Sequence, residues 1–105
     1  MLYEFFPATV AAGLPPLYTQ EKLGEQATAH VKFFTPDANW TWYATEYYPH
    51  DRLFFGLVFG HETEFGYFAL DELIQTTGPL GLHIERDIHW KPRTIAEVRK
   101  LHGRR

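Results

Sequence analysis

Trp40-Thr41-Trp42-Tyr43-Ala44-Thr45-Glu46-Tyr47, then Pro49-His50-Asp51-Arg52, then Leu53-Phe54-Phe55-Gly56-Leu57-Val58-Phe59: this stretch decides the fold. Its first run is rich in aromatic and β-branched residues, which suit a pleated, half-buried surface. In strict alternation Trp40, Trp42, Ala44 and Glu46 share one face, and Thr41, Tyr43, Thr45 and Tyr47 the other. The proline and aspartate between the runs form a turn. The second run is almost wholly apolar, the mark of a strand covered on both faces. Two strands joined by so short a link pair antiparallel.

The pattern extends in both directions. Upstream, Ala29–Phe34 reads as a strand ending at the turn formers Thr35-Pro36-Asp37-Ala38-Asn39. Downstream, Gly60-His61-Glu62-Thr63 is a turn and Glu64–Leu70 a further strand. Asp71–Thr76 follows as a short helix, its acidic first turn favoured by the helix dipole, and Gly78-Pro79 stops it. Glu85–Trp90 alternates enough for a last edge strand. Thr94 can cap a final helix with Glu97 as its capping-box partner, and Ile95, Val98 and Leu101 lie on one stripe of it. At the other end Pro7 opens a short helix over Ala8–Ala12. Leu14-Pro15-Pro16-Leu17-Tyr18 is an extended arm, because two prolines remove donors and fix φ. The expected class is α+β: a twisted antiparallel β-meander of four to five strands, with short helices on one face and a C-terminal helix. One domain over residues 1–105 is expected: helix and arm over 1–28, sheet over 29–90 with a helix at 71–76, and a basic helix at 94–102.

Composition excludes several functions. The chain has 105 residues, 45% hydrophobic and 17% aromatic, which rules out a disordered polymer. It has no cysteine, so disulfide scaffolds, thiolate zinc sites and cysteine nucleophiles are excluded. It has no serine nucleophile either, since serine is absent. No apolar run reaches the ~20 residues of a membrane span. Met1-Leu2-Tyr3-Glu4 lacks the basic start of a signal peptide, so a cytoplasmic location away from membranes is expected.

Charge is unevenly spread. Residues 1–90 carry four cations against twelve carboxylates, while residues 91–105 carry six cations against Glu97. An acidic body repels phosphate, whereas the basic end, with Arg99, Lys100, Arg104 and Arg105, could hold a nucleic acid weakly.

Glu46, Asp51, Glu64, Glu85 and Asp87 fall at strand ends or turns, where a pair could do acid–base or metal work. The other reading is a carboxylate bonded to a backbone N–H or paired with Arg52 or Arg86. The six histidines (His30, His50, His61, His83, His89 and His102) lack the spacing of ligands on one element. No phosphate-binding glycine loop occurs. Neither a cofactor nor a metal site is expected. Trp40, Trp42, Tyr47, Tyr48 and Tyr67 have two readings: core packing for most of these rings, or an exposed aromatic platform, which suits a protein interface or unpaired bases.

The order of motifs carries a resemblance. Phe33-Phe34-Thr35-Pro36-Asp37-Ala38-Asn39-Trp40-Thr41-Trp42-Tyr43-Ala44-Thr45-Glu46, Asp51–Val58, Gly66–Leu73, Gly78–Leu82 and Ile84–Asp87, with Leu14–Tyr18 upstream, resemble domain-of-unknown-function family 2958. Its members are small bacterial and phage proteins often encoded on mobile elements. The resemblance implies that genomic company but supplies no activity and no catalytic residues.

Together these readings predict a non-enzymatic accessory protein of a mobile element or phage. It would contact a host or element-encoded protein, such as a nucleic-acid-handling or defence complex, through an acidic, aromatic face. That face is predicted to hold Trp40, Trp42, Glu46, Tyr47, Glu64, Glu85 and Asp87. Two alternatives stand beside it: a metal-dependent hydrolase using Glu46, Glu85 and Asp87, and a weak single-stranded nucleic-acid binder using the aromatics and basic end.

Overall fold

A computed structural model describes residues 3–103 of the chain. The meander is present as β2 (Val31–Phe34), β3 (Thr41–Tyr48), β4 (Leu53–Phe59) and β5 (Thr63–Ala69). A two-residue strand, β6 (Glu85–Arg86), pairs with β2 and completes a five-stranded antiparallel sheet in the order β5-β4-β3-β2-β6. A second, smaller ladder joins β1 (Thr28–Ala29) to β7 (Arg93–Thr94). The helices are α1 (Ala8–Ala11), α2 (Leu70–Gln75) and α3 (Ile95–Gly103), with a kinked 3-10 segment over Glu21–Gln26. The class is α+β, as the sequence predicts.

The sheet is buried from both sides. One face presents Val31, Phe33, Trp42, Ala44, Tyr47, Phe54 and Phe68, covered by Leu14, Ile84, Leu70 and Leu73 of α2, and Phe5, Phe6 and Val10 near the N-terminus. The opposite face presents Tyr43 and Leu57, covered by Ala27, Ala29 and Ile95 and Val98 of α3. The apolar run of β4 reflects this double coverage.

One irregularity reorders β3. Its pairing with β4 runs in register from Thr41↔Phe59 to Ala44↔Gly56, then resumes at Glu46↔Phe55, leaving Thr45 as an extra residue. Such a bulge inverts the alternation beyond it. Tyr47 therefore joins Trp42 and Ala44, and Glu46 turns to the other side, against the strict alternation expected from the sequence.

Two further expectations are refined, and one contact is new. The edge strand predicted over Glu85–Trp90 stops at Arg86, because Asp87 turns the chain: its carboxylate accepts the His89 N–H at 2.9 Å, and its carbonyl the Trp90 N–H at 3.2 Å. The apolar stripe of α3 ends at His102, whose ring stacks on Phe59 with centroids 3.6 Å apart, while Leu101 is exposed. Spacing of i, i+3 and i+7 keeps a straighter face than i, i+3 and i+6. Asp37, in the turn before β3, accepts the Leu80 N–H at 2.7 Å and lies where a side chain on Gly78 would sit.

The cap of α3 is the predicted box. The Thr94 N–H and hydroxyl donate to Glu97 Oε1 at 3.0 and 3.1 Å, and the Glu97 N–H donates to Thr94 Oγ1 at 3.2 Å. The Thr94 backbone bond is the main reason the Glu97 carboxyl lies below its ordinary pKa. Its stabilisation of the fold is present above the ordinary glutamate value and fades as pH falls through the lowered one. Thr94→Ala removes the hydroxyl and keeps the backbone N–H, so it is expected to raise the Glu97 pKa only part of the way, read from its side-chain carboxyl shift in an NMR titration. An unmoved titration curve would remove the hydroxyl as a contributor.

Candidate functional site

The sequence-predicted site residues divide among three places. Trp40, Trp42 and Glu64 come together beside β5, in a groove of about 580 Å³ shared with His61, Glu62 and Phe68. Trp40 stacks obliquely on Trp42 at 5.8 Å and meets the His61 ring edge-on at 5.3 Å. Glu46 opens onto the other side of the sheet, in a cavity of about 270 Å³ lined by Tyr18, Phe55, Phe65 and Tyr67. Glu85 and Asp87 lie at the far margin, where Asp87 pairs with Lys32 at 3.7 Å. Glu85 is registered on Phe34 and Phe34 on Thr41, so Glu46 stands roughly 15 Å farther along β3.

Of the rings considered for an exposed platform, Tyr48 and Tyr67 are exposed and the others are not. Trp42 is 9% exposed and Tyr47 6%, because both pack inward on the Phe33–Phe54 cluster. Trp40 is half-buried over Gly60. Glu46, 3% exposed, is no contact residue. Its two oxygens accept the backbone N–H groups of Tyr18 at 2.8 Å and Gln20 at 2.7 Å. The bulge aims this carboxylate at the arm, and the Gln20 side chain then ties the arm to the carbonyls of Thr28 and Thr45. Glu46→Gln leaves one of those N–H groups facing an amide donor, and is expected to destabilise by about 1–3 kcal/mol. Faster hydrogen exchange at the Tyr18 and Gln20 amides, relative to those of β3, is the measurement; unchanged exchange there would remove Glu46 as the anchor.

Glu46, Glu85 and Asp87 thus form no common centre, and no group of three or more His, Asp or Glu among the described residues is placed to hold a metal. On α3, Arg99 is engaged: Nε donates to Glu25 at 2.7 Å while the guanidinium lies over the Phe65 ring at 5.7 Å. Lys100 is exposed; Arg104 and Arg105 lie outside the described residues. No helix among the described residues is long and apolar enough to cross a membrane.

What converges is the surface around β5. Tyr67 is 52% exposed and Tyr18 64%, with their hydroxyls 3.4 Å apart, and Phe65 stands beside them. The bond to Tyr18 is the main cause of a raised Tyr67 pKa, with burial next and the negative charges of Glu21 and Glu46 adding to it. Tyr18 holds its position at φ +74°, a costly conformation for a bulky side chain. Tyr67 was legible as a candidate, whereas Phe65 and Gln20 were not. Phe65 is one apolar residue of an ordinary alternation, and nothing local marks Gln20 as a tie. The arrangement offers aromatic surface and unpaired carboxylates but no nucleophile–base pair.

Neither curated proteins nor solved structures give a match. The family model described as "Protein of unknown function (DUF2958)" matches residues 17–99, from the arm that Glu46 anchors through most of α3. With the motifs around Asp37 and Gly78 interlocked inside that span, the chain belongs to the DUF2958 family.

Proposed function

We propose that the chain is a non-enzymatic binding protein that contacts a protein partner through the acidic, aromatic-lined side at β5. One observation carries this reading. Phe65, Tyr67 and Tyr18 are exposed together on one face of β5 beside Glu21, while Glu62 and Glu64 line the groove on its other face. None of these three carboxylates has a cationic partner among the described residues. Tyrosine and phenylalanine supply binding surface at low entropic cost, and carboxylates steer basic partners. The company kept by the family it resembles supports an accessory role for a mobile element or phage in the host cytoplasm. A basic host protein of a nucleic-acid-handling or defence complex is the partner of matching charge.

The test is affinity capture from host lysate with and without nuclease, using the native chain and a Glu62→Lys/Glu64→Lys variant. Capture that survives nuclease, weakens as salt rises and disappears in the variant is expected. Loss of capture on nuclease treatment, or full capture by the variant, would overturn the reading.

A further inference from the structure

The two margins of the sheet are finished differently. At one, β6 is two residues long and a strap from the N-terminus holds it: the Arg86 N–H donates to the Tyr3 hydroxyl at 2.7 Å, and Arg86 Nε to the Phe5 carbonyl at 2.9 Å. At the other, β5 runs seven residues without lysine, proline or bulge, the devices that blunt an open edge.

Bond direction along β5 follows from the two ends of its ladder with β4. The Leu70 N–H donates to the Arg52 carbonyl at 2.9 Å, and the Gly60 N–H to the Glu62 carbonyl at 3.0 Å. Both pairs continue the register Phe54↔Phe68 and Gly56↔Gly66. Antiparallel alternation then turns the even-numbered residues of β5 toward β4 and the odd-numbered ones outward. The outward N–H of Ala69 is taken by Glu72 at 3.2 Å. Thr63, Phe65 and Tyr67 remain, presenting three N–H and three C=O groups that no described residue engages.

We propose that β5 is a strand-addition site that takes an extended, basic segment of a protein partner. The proposal rests on the binding reading above and specifies its mode. An added strand would project alternate side chains to the two faces of the sheet. Both faces are prepared beside β5: the cavity with Phe65 and Tyr67 on one, the Trp40–Trp42 groove on the other. Gly66, between them, has nothing within 4 Å of where a side chain would begin, so a large incoming residue fits over it. Charge selects the occupant. The hairpin from Leu53 to Ala69 contains Glu62 and Glu64 and no lysine or arginine, so a second copy would set acidic edge against acidic edge, whereas a basic segment neutralises both.

The test titrates the full-length, ¹⁵N-labelled chain at low salt with an alternating valine–lysine heptapeptide. The same peptide N-methylated throughout and a valine–glutamate peptide serve as comparisons. Expected are amide shifts centred on Thr63, Phe65 and Tyr67, slowed exchange of those amides, and binding at least about ten-fold weaker for the methylated and acidic peptides. Phe65→Pro removes an outward N–H while sparing the inward ladder, and is expected to abolish the shifts. If that variant unfolds, the methylated comparison on the native chain decides. Equal binding of methylated and unmethylated peptide overturns strand addition and leaves the charge-based reading standing. Concentration-dependent dimers protecting the same amides without peptide overturn the basic occupant. Absence of any shift at millimolar peptide overturns the strand-addition site, while the lysate capture decides the broader reading by itself.

Discussion

Gly56→Ala is expected to cost at least about 3 kcal/mol, at or beyond the upper end of ordinary overpacking. A methyl group at Gly56 would lie 1.8 Å from the Tyr43 carbonyl oxygen and 2.8 Å from its carbon. Both are backbone atoms of the neighbouring central strand, which no side-chain rotation can move. The site adjoins the bulge: Gly56 is paired with Ala44, the last residue before the extra Thr45, and only hydrogen fits there. Gly66, the cross-strand partner of Gly56, makes an internal control because its side is open. Gly66→Ala is expected to stay within about 0.5 kcal/mol of the native stability. Urea unfolding of the two variants measures the contrast. Equal midpoints would mean that β3 and β4 do not approach this closely at Gly56.

Phe54→Ala should be comparably severe, about 3–5 kcal/mol, with Tm falling by roughly 15 °C or more. Phe54 has no exposed surface, and its ring meets four others: Tyr47 at 4.7 Å, Phe6 at 5.0 Å, Phe68 at 5.2 Å and Phe33 at 5.4 Å. These rings come from three neighbouring strands and from the segment before α1, so collapse into the void would have to move several elements together. Calorimetry gives the value. A loss under about 1.5 kcal/mol would show that Phe6 swings in to refill the site, since fillable cavities cost little more than transfer.

The elements that the sequence made legible are those whose signals are local. Turn formers at Thr35–Asn39 and Pro49–Arg52 bracket β3, the apolar run marks β4, and Thr94 with Glu97 marks the start of α3. The bulge at Thr45 has no such signal, because threonine suits a regular strand equally well. Without it, strict alternation places Glu46 on the face of Trp42 and Tyr47 on that of Tyr43, the reverse of what the structure shows. The β1–β7 ladder was equally hidden: Ala29 and Arg93 are paired across most of the chain, and two-residue strands have no periodicity to detect. For the site, Trp40, Trp42 and Glu64 line one groove, and Glu46 lies in a separate cavity. Which strand stands at the margin depends on β6 returning beside β2, a long-range pairing that no alternation within β5 could announce. That is why Phe65 read as an unremarkable strand residue.

The double coverage of the sheet also bears on how the polypeptide is made. The meander can zip up as soon as residues up to Ala69 have left the ribosome, since its turns are short. At that moment Tyr43 and Leu57 have only Ala27 and Ala29 of their cover, because Ile95 and Val98 belong to a helix not yet synthesised. Nascent chains therefore pass through an interval with one greasy side incompletely roofed, when chaperone capture or clumping competes with completion.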